Sequence, residues 1–139
     1  MNIALIYSSR GGSTRKVAQA MAEALEIAPI DVKKEAPDLS DVELLIVGSG
    51  TYGGKPSKKL VKYLETLDTT TNKRVAFFST CAGDATNTLE VMKEIMANKG
   101  YTLGDCFSCF GKFTLLKRGH PTKEEMNQAK DFARNLITK

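Results

Sequence analysis

The sequence is short of cysteine and histidine and has no tryptophan at all: three cysteines, one histidine and no tryptophan in 139 residues. Three cysteines (Cys81, Cys106 and Cys109) are too few, and odd in number, for a disulfide scaffold, and they fit free thiols in a reducing cytoplasm. The lone histidine, His120, leaves no serine, cysteine and histidine constellation of the kind a hydrolase uses. No apolar run approaches the roughly 18 residues of a membrane span. The first apolar stretch, Ile3 to Tyr7, has no basic residues before it, so no export signal is expected. Repeats, low-complexity segments and Pro/Gly/Ser-rich linkers are also missing, and residues 1–139 are expected to form a single domain. The apolar fraction of 42% and charged fraction of 26% are those of an ordinary globular chain. A chain of this length buries roughly two-thirds of its unfolded surface.

Acidic residues are missing locally. Residues 1–22, 44–64 and 69–83 hold no Asp or Glu but carry Arg10, Arg15, Lys16, Lys55, Lys58, Lys59, Lys62, Lys73 and Arg74. With a net charge of +4, this raises nucleic acid as a partner. A nucleic-acid surface wants interleaved aromatics or a recognisable module, and neither is present, so no nucleic-acid partner is expected. The basic stretches read instead as a positive rim for a dianionic phosphate and for acidic partners.

What is present is an alternation of two patterns. Ile3–Tyr7, Leu44–Val47 and Val75–Phe78 are short continuous apolar runs, the signature of strands covered on both faces. Ile30 and Val32 alternate with polar residues as a more exposed strand, and Cys106–Phe110 is a fifth candidate. Between them lie helical stripes: Val17, Met21 and Leu25 after the capping residues Ser13 and Thr14; Leu60, Leu64 and Leu67 after Pro56; Leu89, Met92 and Met96 before a Lys99-Gly100 stop; and Met126, Ala129, Ala133 and Leu136 after Pro121-Thr122. Lys33 to Asp41 is a loop or short helix. This order predicts an α/β, doubly wound sheet, which binds ligands beyond the carboxyl ends of its strands.

Three segments follow strand ends. Ser8-Ser9-Arg10-Gly11-Gly12-Ser13-Thr14 places glycines and hydroxyls where a helix begins, a setting for one phosphate. It has neither the G-x-x-x-x-G-K-[ST] spacing of a nucleotide triphosphate loop nor the G-x-G-x-x-G of a dinucleotide site. Gly48-Ser49-Gly50-Thr51-Tyr52-Gly53-Gly54-Lys55-Pro56 surrounds one tyrosine with four glycines, a loop able to reshape around a flat ligand. Ser79-Thr80-Cys81-Ala82-Gly83-Asp84 is small, with amides able to face a ligand. Together they suit a flat heterocycle with a single phosphate tail.

On these three segments the whole chain resembles a short-chain flavodoxin. Ser9 to Thr14 lies where that family carries its [ST]-x-T-G-x-T loop, with Gly11 in place of the third-position threonine and Arg10 as a compensating contact. Gly48 to Gly53 matches the first flavin loop, with Tyr52 where the family often has a tryptophan, and Ser79 to Asp84 matches the second. The resemblance implies a flavodoxin-like, three-layer α/β fold with a five-stranded parallel sheet in the order 2-1-3-4-5. It implies FMN as cofactor, with phosphate contacts from Ser9, Arg10, Gly11, Gly12, Ser13 and Thr14. The ring would be lined by Thr51, Tyr52, Gly53 and Gly54 on one side and by Thr80, Cys81, Ala82, Gly83 and Asp84 on the other. The Gly53 carbonyl would accept a hydrogen bond from the N5–H of the reduced flavin. The implied function is single-electron transfer between redox partner proteins, by a cytoplasmic monomer with no membrane partner, an electron carrier more than a stand-alone enzyme. Two differences from the family are a basic rather than acidic chain and no aromatic in Asp84-Ala85-Thr86-Asn87. An open outer flavin face would favour a second reading, an FMN-dependent NAD(P)H:quinone oxidoreductase on the same scaffold. A third is a non-redox binding module.

Cys106-x-x-Cys109 invites a zinc or redox reading. Residues i and i+3 of a strand point to opposite faces, so these thiols are expected to be buried and structural, with no metal site. His120 is expected to shape the start of the last helix.

Overall fold

A computed structural model describes residues 1–111 and 119–138. The elements alternate as β1 (Ile3–Ser8), α1 (Ser13–Leu25), β2 (Pro29–Asp31), β3 (Leu44–Gly50), α2 (Lys58–Glu65), β4 (Arg74–Cys81), α3 (Thr86–Asn98), β5 (Thr102–Phe110) and α4 (Lys123–Ile137). The five strands pair in parallel in the order β2-β1-β3-β4-β5, as the resemblance implies. The order reverses at β1 and β3, and the crevice there is the switch point where such sheets take ligands.

Strand alternation divides the core into two layers. Ala4, Ile6, Leu45, Val47, Val75 and Phe77 face α2 and α3, meeting Leu60, Leu64, Met92 and Met96. Leu5, Tyr7, Leu44, Ile46, Ala76 and Phe78 face α1 and α4, meeting Val17, Met21, Ala129 and Leu136. The continuous apolar runs are therefore covered twice, the physical reason they lack polar alternation. Gly48 opposes Phe78 in the β3–β4 register. A Cβ on Gly48 would lie 1.9 Å from the Phe78 ring, so this glycine is a packing requirement inside the strand.

Several boundaries differ from the sequence reading. β3 runs on through Gly48-Ser49-Gly50 and β4 through Ser79-Thr80-Cys81, because their small residues keep the ladder going past the apolar runs. α1 is not capped by Ser13 or Thr14. Both are helical, and the cap position is Gly12, left-handed at φ 89 with no side-chain bond. Pro56 precedes α2 rather than opening it. Ser57 holds the cap position without a side-chain cap bond; its amide donates to Ser49 Oγ at 2.8 Å, and its hydroxyl pairs with Ser8 Oγ at 2.8 Å. Leu67 lies beyond α2 but still packs on the core. β2 ends at Asp31, although the Val32 amide still donates to the Tyr7 carbonyl. Of the two readings of residues 33–41 the loop holds, with turns at 33–34 and 40–41 around irregular chain. β5 starts at Thr102, four residues before the predicted run.

The last helix starts as the sequence predicts. Thr122 and Glu125 form a reciprocal capping box, worth about 1 kcal/mol. Glu125 also takes a bond from the Phe110 amide at 3.0 Å and pairs with His120 Nδ1, so Glu125 ties the end of β5 and His120 to the start of α4. Lys117 and Arg118, which precede His120 in the chain, lie outside the described residues.

Candidate functional site

The carboxyl edge of the sheet carries a cavity of about 340 Å³. Its walls come from all three predicted loops: Ser9, Arg10 and Gly11 with Ser13 and Thr14 from the first, Thr51 and Tyr52 from the second, Thr80 and Cys81 from the third. That volume is within the range of small-ligand sites, about 300–1,000 Å³.

The first loop leads into a helix start, that of α1, that carries no side-chain cap. No acidic residue occupies its first turn either, so the partial positive charge of the helix end goes uncompensated. Gly12 turns the chain at positive φ, and its amide donates to Ser9 Oγ at 3.0 Å. Two buried hydroxyls, Thr14 and Thr80, pair at 2.9 Å across the cavity floor. Behind them runs a belt of buried hydroxyls: Ser8 with Ser57, Ser49 with the Ser57 amide, and Thr51 with Ser79 at 3.0 Å. These bonds join the ends of β1, β3 and β4 to the start of α2, and they replace water for groups that would otherwise be buried unpaired.

Tyr52 closes the cavity on one side. Its hydroxyl accepts from the Arg10 amide at 3.0 Å, and the Arg10 guanidinium carbon lies 4.5 Å from the ring centroid. Arg10 is therefore a stacking partner of Tyr52 in this structure. The loop carrying Tyr52 is a tight hairpin. Tyr52 and Lys55 exchange backbone bonds around Gly53 (φ 62) and Gly54 (φ 77), two consecutive left-handed positions that favour glycine. Asn87 of α3 donates to the Gly54 carbonyl and clips this hairpin down.

The remaining predicted residues sit at the margin. Gly53 faces a neighbouring groove, not the cavity. Ala82 and Gly83 form the bend after β4, and no atom lies within 4 Å of where a Gly83 Cβ would be. The Asp84 carboxylate accepts the Thr86 hydroxyl at 2.6 Å and the Thr86 amide at 2.9 Å, bonds that hold its pKa below the ordinary value. Asp84 thus serves the start of α3.

The sequence reading missed three contributors. Gly111 joins the cavity wall, and a Cβ there would come within 2.9 Å of the Ser13 Cβ and 3.0 Å of the Thr80 Cβ. Its place directly after the fifth strand run was the available signal. Lys33 reaches the Ser9 carbonyl through its ammonium group, while its amide donates to Asp31 Oδ1 at 2.9 Å. No motif marks it. Gly50 passes beneath the Tyr52 hydroxyl, which a Cβ would approach to 2.5 Å.

The cysteines do not meet as a metal site. Cys106 packs on the α2/α3 layer and Cys109 on the α1/α4 layer, opposite faces of β5. Both are half-buried where full burial was expected, because β5 is an edge strand. Burial, then the charges of Glu125 and Cys81, push the Cys109 thiol up to about 12, so it is protonated at neutral pH. Among the described residues no His/Cys/Asp/Glu group has metal-binding geometry, and no helix is long and apolar enough to cross a membrane.

Comparison with known proteins gives one family. The model of the flavodoxin domain matches residues 4–126. An uncharacterized protein of Methanocaldococcus jannaschii is 28% identical over 149 residues, covering 99% of both chains. Oxidised flavodoxin 1 from Bacillus cereus superposes with a TM-score of 0.79 at 19% identity, covering 99% of this chain and 98% of that one. A Fusobacterium nucleatum flavodoxin bound to flavin mononucleotide gives 0.75 at 16% identity, over 99% and 97%.

Proposed function

This chain belongs to the flavodoxin family, and from that premise we propose that it binds FMN and carries single electrons between partner proteins. One observation carries the reading: a single cavity has an uncapped helix start and paired buried hydroxyls at its floor and a clamped tyrosine at its wall. Those residues fit the cofactor's two unlike ends. The phosphate would take the amides and hydroxyls of the segment from Ser9 to Thr14, where no carboxylate competes. Lys33, held at the Ser9 carbonyl, adds a cation beside this loop. The flat ring would lie against Tyr52 and Thr51, with the Thr80 to Asp84 segment along its other edge.

FMN, when bound, supplies one-electron oxidation and reduction; the protein's own residues would bind it, orient it and accept a hydrogen bond from its N5–H. The Gly53 carbonyl, which lies by the neighbouring groove, would accept a hydrogen bond from the flavin N5–H once its peptide turns toward the cavity. Gly53 and Gly54, already left-handed, allow that peptide to turn without a Cβ clash. Tyr52, at the cavity wall, would exclude water from one ring face. The basic chain sets this protein apart from an acidic carrier and favours acidic partners.

Titration of the purified protein with FMN tests the reading. Quenching of flavin fluorescence at 1:1 stoichiometry, with only sluggish reduction by NAD(P)H alone, is the expected result. Rapid reduction by NAD(P)H would make the protein an oxidoreductase instead.

A further inference from the structure

A second depression, about 720 Å³, lies beside the cavity and shares Arg10 and Tyr52 with it as a common wall. Its floor is apolar, made by Pro56 and Val61 with Val91 of α3. Its rim is cationic: Lys55, Lys58 and Lys62 line it, all exposed, with Glu65 the one acid at the edge. Lys58 and Lys62 are one helical turn apart on α2, so both charges stand on the same side. None of the three lysines has an ion-pair partner among the described residues.

We propose that this groove is where a redox partner docks, through an acidic face that places Asp and Glu side chains around an apolar residue. The inference rests on the electron-carrier reading above and adds the position and chemistry of the partner. A small-molecule pocket converges a few polar groups on its ligand. Here the charges ring an apolar floor and stay in water, the anatomy of a protein interface with a polar rim. Opposite charge on the partner would speed encounter and fix its register. The shared wall then sets the route. A partner seated on Val61 and Val91 lies directly behind Tyr52, whose other side lines the cavity, so one aromatic ring separates partner from cofactor.

The probe is a synthetic peptide with Asp and Glu flanking a central leucine, followed by amide chemical shifts of the intact protein with and without FMN. Shifts confined to α2, the Tyr52 hairpin and the Val91 turn are expected. Binding should weaken by about tenfold or more in Lys58→Glu/Lys62→Glu, and should weaken as salt rises. The same variant should bind FMN as the parent does, since neither lysine lines the cavity. Equal peptide affinity in parent and variant, or shifts centred on Arg15 and Lys16, would overturn the proposal. If FMN fails to bind while the peptide maps to the groove, the carrier reading falls and the acidic docking site stands.

Discussion

The Arg10 guanidinium lies 4.5 Å over the Tyr52 ring, and the Arg10 amide donates to the Tyr52 hydroxyl at 3.0 Å. One residue of the phosphate loop thus holds the aromatic of the second loop by both its backbone and its side chain. Replacing Arg10 by Ala removes the stacking, worth about 0.5–1 kcal/mol at an exposed site, and leaves the amide bond in place. Tyr52→Ala should cost FMN binding more, about 1 kcal/mol or above, and shift the bound-flavin absorption bands. Fluorescence titration of both variants checks the order. A larger loss in Arg10→Ala than in Tyr52→Ala would mean that Arg10, and not the ring, makes the main contact.

Gly48 and Gly83 make a matched stability test. A Cβ at Gly48 drives into the fully buried Phe78 ring, whereas Gly83 has open space around it. Gly48→Ala should destabilise by about 1–3 kcal/mol, the usual cost of overpacking, and Gly83→Ala by less than about 0.5 kcal/mol. Urea unfolding monitored by circular dichroism measures both.

Glu125 gives a pH dependence with a definite sign. Burial raises its pKa, but bonds from the Thr122 amide, His120 and the Phe110 amide outweigh burial and leave it below the ordinary value. A carboxyl depressed on folding contributes stability that is present above its unfolded pKa, about 4.3, and lost as pH falls through the folded value. Glu125→Gln should therefore cost about 1 kcal/mol at neutral pH and flatten the decline in stability below about pH 4. Thermal melts of parent and variant across pH 3–7 should converge toward acid. Parallel curves would contradict the assignment.

How legible the fold was depended on burial. The three central strands announce themselves as apolar runs because both faces are covered. The start of β5 does not, because Thr102-Leu103-Gly104-Asp105 forms an exposed edge where no apolar pattern is required. The hydroxyl-rich strand ends are legible, and Ser9, Thr51 and Thr80 from them line one cavity. Capping was misjudged at α1 for a physical reason: Thr14 has a cap's chemistry but spends its hydroxyl on Thr80, and the helix start is left open. Lys33 and the Arg10–Tyr52 clamp were not legible, since both are long-range contacts with no local signature.

The central claim is that the cavity floor is built for a terminal phosphate. Comparing dissociation constants for FMN and riboflavin by fluorescence quenching tests it most directly. Two or more charge-assisted bonds at about 1.5–3 kcal/mol each predict FMN binding at least about a hundredfold tighter. Ser13→Ala/Thr14→Ala should weaken FMN by about 1–3 kcal/mol and leave riboflavin nearly unchanged. Equal affinity for FMN and riboflavin in the parent protein would contradict the account.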